Sequence, residues 1–262
     1  MFNMYVYKYI PCPIFTSCTQ KMDIIKFFSI STSKLKSASP EILKTKGKKA
    51  SSQQWLARHL SDPYVEKAKR MNYRCRSAFK LLEINERFNI LQPGNVVLDI
   101  GAAPGSWTQV LVEKVHSKNT DQKSPTGIVI AVDKSQIYPI EGATILGNMD
   151  FTQSNVQDTI LNLLDGRKVD AVLSDMAPNA TGVHAMDNEN IVKLCYSVLR
   201  FALPVSKPNA TLLVKAWQCE EFKKFESNMA RFYEKVRVVK PNSSRSDSAE
   251  VFLLGRNFKG IE

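Results

Sequence analysis

From Asn95 onward the chain alternates short apolar runs with amphipathic stretches, and this alternation constrains its fold more than any other feature. The runs are NVVLDI (95–100), GIVIAVD (127–133), ATILGN (143–148), VDAVLSD (169–175), ATLLVKAW (210–217), KVRVVK (235–240) and EVFLLG (250–255). Between them, apolar residues recur at three- and four-residue steps, which predicts helices from Pro104 to about His116 and over about 153–164, 189–202 and 220–231. Strands that alternate with helices imply βαβ crossovers and a mostly parallel sheet covered on both faces. The connection before the seventh run is too short for a helical crossover, so the last strand is predicted antiparallel. The expected fold class is therefore α/β, a Rossmann-like sheet of seven strands.

Ahead of this core, residues 51–92 carry a helical pattern: Trp55, Leu56, His59 and Leu60, then Ala78, Phe79, Leu81, Leu82, Ile84 and Phe88. Pro93-Gly94 stops it. One domain over 51–262 follows, with a helical part at 51–92 and the sheet core at 93–256. Residues 1–50 stand apart, since they hold nine lysines and only Asp23 and Glu41 as acids, most of the formal net charge of +11. Their mixture of Phe, Tyr, Ser, Thr and Lys is that of a cleavable organelle-targeting presequence, pointing to mitochondria. The absence of arginine leaves a disordered tail as the other reading.

The five cysteines form no C-x-x-C pair and the three histidines no cluster with them, which argues against a zinc site or a disulfide framework. No apolar run approaches the ~20 residues that a membrane span needs. The basic balance, with a pI near 9.4, favours attraction to polyanions such as nucleic acid.

The first strand runs into Asp99-Ile100-Gly101-Ala102-Ala103-Pro104-Gly105-Ser106-Trp107, where small residues let the backbone approach a ligand and Pro104 is placed to open a helix. A tight β–α turn without a ligand would also use glycine, and the absence of G-x-G-x-x-G disfavours a pyrophosphate cofactor. Asp133 ends the second strand, where a carboxylate can accept both hydroxyls of a ribose. Asp150 follows the third, where it can accept from an adenine amino group. Either acid alone is an ordinary turn residue. With the glycine turn they describe an adenosine-sized site.

Five ordered blocks now carry a specific resemblance: YRCRSAFKLLEI (73–84), VLDIGAAPGSWTQVL (97–111), LSDMAPNATG (173–182), LLVKAW (212–217) and SRSDSAEVFLLG (244–255). Residues about 55–256 resemble the FtsJ/RrmJ family of ribosomal RNA 2′-O-ribose methyltransferases. The resemblance implies a class I methyltransferase fold with S-adenosyl-L-methionine as donor. It also implies Pro104, Gly105, Ser106 and Trp107 at the methionine end, Asp133 at the ribose, Asp150 and Phe151 at the adenine, and Asp175 near the sulfonium. Within the family the lysine-rich extension is most similar to mitochondrial members, which implies a uridine of large-subunit ribosomal RNA as target, a matrix location and a monomer. A catalytically weak RNA-binding or ribosome-assembly factor with the same fold, and a tRNA 2′-O-methyltransferase, are the alternatives.

A ribose 2′-hydroxyl is a poor nucleophile, so an enzyme must align it with the methyl group and help remove its proton. Lys215 within LLVKAW is the residue that demands a role, because an unpaired charge among strand apolars is expensive. Lys80 and Glu250, read alone, are ordinary surface charges. The resemblance makes Lys80, Asp175, Lys215 and Glu250 a catalytic tetrad, with Lys215 at the 2′-oxygen, Asp175 and Glu250 positioning it, and Lys80 stabilising an incipient alkoxide. RNA phosphates are expected at Lys67, Lys69, Arg70, Arg74 and Arg76, with Arg245 on the opposite rim. Trp55, Tyr73 or Phe79 could stack on a base, although Phe79 suits the core better. Residues 179–190 look like a mobile lid.

Overall fold

The structure is a computed structural model that describes residues 60–261 except 119–123 and 246–247. The expectations for residues 1–50, for Trp55 and for a helix before Leu60 lie outside the described residues. Seven strands form a sheet in the order β3-β2-β1-β4-β5-β7-β6: β1 Val96–Ile100, β2 Ile128–Val132, β3 Ala143–Leu146, β4 Val169–Ser174, β5 Ser206–Trp217, β6 Tyr233–Val239 and β7 Glu250–Phe258. The pairs among β1 to β5 are parallel. β7 inserts antiparallel between β5 and β6, as its short preceding connection requires. From β1 the chain steps outward to β2 and β3 and then returns to the other side of β1 at β4. That reversal opens a crevice beyond the carboxyl ends of the strands.

The central strands read as continuous apolar runs because both of their faces are covered. One face packs Leu98, Ile130 and Leu212 against helices α4 (Ser154–Leu164), α5 (His184–Val205) and α6 (Glu220–Phe232). The other packs Val97, Leu213 and Leu254 against α2 (Ala78–Phe88) and α3 (Ser106–Lys114). A short helix, α1 (Pro63–Arg70), precedes them.

Three local expectations are corrected. From Pro63 on, the N-terminal helical stretch is broken into α1 and α2: Asp62 caps α1 by accepting from the Tyr64 N–H, and Asn72 ends it in the left-handed region at φ 57°. The Tyr73 N–H then closes on the Ala68 carbonyl, the hydrogen bond of a Schellman turn, and the break lets α2 start afresh just ahead of Lys80. Pro104 does not open α3: the Ala103–Pro104 peptide is cis, and Gly105 at φ 108° is the N-cap of a helix that begins at Ser106. At φ 108° Gly105 sits where L side chains are strained, so the turn favours glycine, and a Cβ there would also displace the ends of the Arg74 and Ile140 side chains. The segment 179–190 is not loop throughout: α5 starts at His184 rather than about 189, and within the segment Asp187 accepts from the Thr181 N–H and hydroxyl at 2.8 and 2.7 Å.

Candidate active site

A cavity of about 520 Å³ sits at the switch point, with Gly101, Ala103, Asp133, Asp150, Phe151, Asp175 and Met176 among its walls. Its two outer acids are fixed by nearby backbone. Asp133 Oδ1 accepts from the Ser135 N–H at 2.7 Å, and Oδ2 from the Ala103 N–H at 2.9 Å, which ties the end of β2 to the glycine turn. Asp150 Oδ1 accepts from the Thr152 hydroxyl at 2.7 Å and its N–H at 2.9 Å. These bonds hold the Asp150 carboxyl below its ordinary range. Gly101 forms a floor that a side chain would fill, since a Cβ there would lie 2.5 Å from Met176 Cγ and 2.9 Å from Met176 N. Phe151 adds an apolar wall, locked edge-to-face on Phe201 with ring centroids 5.2 Å apart. Glycine floor, flat apolar wall and two spaced carboxylates suit an adenosyl group with its hydroxyl and amino donors.

The turn contributes less side chain to this cavity than the sequence suggests. Pro104, Gly105, Ser106 and Trp107 are absent from its walls. Trp107 is 2% exposed: its indole N–H donates to the Ser77 carbonyl at 2.9 Å, and its ring lies 5.6 Å from that of Phe252. Ser106 is buried and its hydroxyl accepts from the Cys75 thiol at 3.0 Å. Below the turn Asp99 is fully buried, with Oδ2 accepting from the Thr108 hydroxyl at 2.6 Å and Oδ1 without a partner. Burial pushes its carboxyl up to about 7.

Lys80, Asp175, Lys215 and Glu250 converge from α2, the end of β4, β5 and β7 as two ion pairs. Lys215 Nζ lies 3.0 Å from Asp175 Oδ1 and donates to the Asp175 carbonyl at 2.6 Å. Lys80 Nζ lies 2.6 Å from Glu250 Oε1. All four side chains are 11–18% exposed, so water screens these pairs only weakly. Burial pushes the Asp175 carboxyl up, but the Lys215 and Lys80 ammonium groups and the Ser77 hydroxyl outweigh it and hold it below its ordinary value. Glu250 forms its ion pair with Lys80. In the β5–β7 register it faces Trp217, which sets it diagonal to Lys215, opposite Phe252, on the same face of the sheet.

Two hydroxyls escaped the sequence reading. Ser77 donates to Asp175 Oδ2 at 2.8 Å, and Ser244 donates to Glu250 Oε1 at 2.9 Å. Both lie inside blocks that carry the family resemblance, three residues before Lys80 and six before Glu250, but nothing in their spacing marks them as partners of these acids.

The expected RNA-facing cations divide. Arg74 commits its guanidinium to the carbonyls of Pro104, Tyr138 and Pro139 at 2.8–2.9 Å, clipping the glycine turn to the loop before β3. Arg76 is mostly buried, donating to the Asp62 carboxylate and the Ser243 carbonyl. Both act as internal braces rather than free phosphate ligands, because the chain's own oxygens take three donors of Arg74 and two of Arg76. Lys67 lies over the Phe79 ring at 4.6 Å, Lys69 and Arg70 are exposed on α1, and Arg245 lies 3.7 Å from Asp62. Phe79 is core, at 3% exposure. No helix among the described residues is long and apolar enough to cross a membrane, and no group of three or more His, Cys, Asp or Glu among them could hold a metal ion.

A seven-stranded sheet with an antiparallel β7 and an acid-lined crevice at the end of β1 defines a class I methyltransferase architecture. Similarity to known proteins narrows this. The model of the FtsJ-like methyltransferase family matches residues 73–258, and the chain belongs to that family. It is 57% identical over 215 residues to the mitochondrial rRNA methyltransferase 2 of Drosophila melanogaster, covering 82% of this chain and 86% of that one. It is 41% identical over 209 residues to the ribosomal RNA large subunit methyltransferase E of Acinetobacter baylyi, covering 80% and 93%. A crystal structure of a putative ribosomal RNA methyltransferase from Plasmodium falciparum superposes with a TM-score of 0.63 at 27% identity, covering 72% of this chain and all of that one.

Proposed function

We propose that the protein transfers a methyl group from S-adenosyl-L-methionine to the ribose 2′-hydroxyl of a uridine in mitochondrial large-subunit ribosomal RNA. The observation that carries this reading is the pair of Lys–carboxylate bridges beside an adenosine-shaped crevice. The names of the mitochondrial and bacterial relatives support the RNA class and the compartment.

Asp133 and Asp150 would hold the ribose and adenine, and the backbone of the Ala103–Trp107 turn would meet the methionine end. When bound, the donor supplies an activated methyl on a sulfonium. Asp175, ionised through the pH range in which the enzyme would work, fixes Lys215 through both its carbonyl and its carboxylate. The carbonyl takes one ammonium donor and the carboxylate stands beside the nitrogen as its counter-ion, which leaves a donor for a 2′-oxygen, which it orients and whose proton it can help to remove. Glu250, steadied by Ser244, holds Lys80 where its charge offsets the developing alkoxide.

The test is to map ribose methylation in cells lacking the protein. One uridine of mitochondrial large-subunit rRNA should lose its 2′-O-methyl group. The full chain should restore it, whereas a chain without residues 1–50 should methylate RNA in vitro but fail to restore the mark in cells. An unchanged methylation map would overturn the function, and restoration by the shortened chain would overturn the targeting role.

A further inference from the structure

A second set of cations lies away from the crevice. Arg87 in the last turn of α2, Lys235 and Arg237 on β6 and Arg256 on β7 surround a groove of about 290 Å³ whose apolar lining is Phe88 and Leu254. Lys235 and Arg256 are direct partners in the antiparallel register, so their side chains stand on one face of the sheet. Arg237, two residues along β6, shares that face. Like charges directly opposite one another on a sheet are destabilising. Nothing nearby relieves this arrangement: among the described residues none of the four makes an ion pair or a side-chain hydrogen bond, and Arg87 lies only over the Phe88 ring at 5.0 Å. Glu234 on β6 alternates to the other face, where it accepts from Asn257 at 2.8 Å.

We propose that this groove binds backbone phosphates of the substrate RNA beside the target nucleotide, a site separate from the ion-pair centre. Arg87 lies seven residues after Lys80 on α2, which places both on one side of the helix about 10 Å apart. A strand whose 2′-hydroxyl sits at Lys80 and Lys215 would therefore reach the groove within a few nucleotides. Since Arg74 and Arg76 are committed internally, the groove adds phosphate-binding charge to the exposed Lys69 and Arg70 of the N-terminal tract. The plainer account is that Lys235 and Arg237 guard an edge strand against pairing with other chains. It does not explain Arg87 on a helix or Arg256 on the inner strand β7, both turned to the same groove.

The proposal rests on RNA being the substrate, and its test separates the two ideas. A variant carrying Arg87→Gln, Lys235→Gln, Arg237→Gln and Arg256→Gln is compared with the parent for binding to a large-subunit rRNA fragment across salt concentrations. RNA affinity at physiological salt should fall at least tenfold. The slope of log affinity against log salt should shrink by about three to four, at roughly 0.7–0.9 for each phosphate that is no longer neutralised. Donor affinity and the rate at saturating RNA should stay within about twofold, and so should methylation of an oligonucleotide too short to reach the groove. If the fourfold variant does not fold, Lys235→Gln with Arg256→Gln should reduce the slope by about one to two. An unchanged slope in a folded variant overturns the proposal, including the case where only solubility or binding to an acidic protein changes. A parent that binds the RNA with the expected slope but never methylates it would overturn the proposed function and leave the groove standing.

Discussion

The crevice formed by β1, β2 and β3 and the ion-pair centre formed by α2, β4, β5 and β7 both rely on carboxylates, but they fix them differently. In the crevice the anchors are near in sequence or on the adjoining turn: Thr152 holds Asp150, while Ser135 and Ala103 hold Asp133. Such an acid keeps its place before a ligand arrives. In the ion-pair centre the partners come from far along the chain: Ser77 reaches Asp175 across 98 positions and Lys215 reaches it across 40. Each bridge there exists only when the sheet and α2 have packed. Loss of one member leaves the other buried without a partner.

It follows that damage to the centre should exceed damage to the crevice. The largest effect should come from Lys215→Arg, which keeps the charge but replaces a compact ammonium by a planar fork that does not deprotonate. Methyl transfer should fall by about 10²–10⁴-fold, the range for a lost acid–base group, while donor affinity by calorimetry stays near that of the parent. Activity within about tenfold of the parent would reduce Lys215 to a structural charge and remove the distinction between the two regions.

Next comes a contrast between two acids, one serving each region. Asp175 meets two ammonium groups and is held low, whereas Asp99 meets only the Thr108 hydroxyl and is pushed up to about 7. Between pH 3.8 and about 7 the unfolded chain has released the Asp99 proton and the native state retains it, so this group's contribution to stability falls as pH rises and levels off above 7. Asp99→Asn has no proton to lose there. The stability of the variant relative to the parent should therefore grow across that window by on the order of 4 kcal/mol, read from denaturant midpoints at several pH values. Parallel profiles would show that Asp99 does not titrate in this range.

The smallest effect should come from the crevice itself. Asp133→Ala removes an acceptor at the proposed ribose position and frees the Ala103 N–H, and donor binding should weaken by roughly 1.5–3 kcal/mol. The rate at saturating donor should change much less than in Lys215→Arg. Unchanged affinity would move the ribose elsewhere.

Element type and order could be read from the sequence because hydrophobic period is a local property: seven apolar runs became seven strands, and a ten-residue connection (240–249) was enough to make β7 antiparallel. Asp133 and Asp150 were legible for a related reason, since the end of a strand in a parallel sheet is where a crevice must lie. Partnership was not legible. Glu250 was expected to position Lys215, and its ion pair is with Lys80, because the packing of α2 brings that ammonium within 2.6 Å of it. Arg74 and Arg76 looked like free basic residues until the fold brought the Pro104, Pro139 and Ser243 carbonyls to their guanidinium groups. The groove at Arg87, Lys235, Arg237 and Arg256 gathers residues from a helix end and two strands, and in sequence they are scattered basic positions. Periodicity specifies which face of an element is buried. Which charge meets which depends on strand register and helix placement, and those are settled only when the apolar faces pack together.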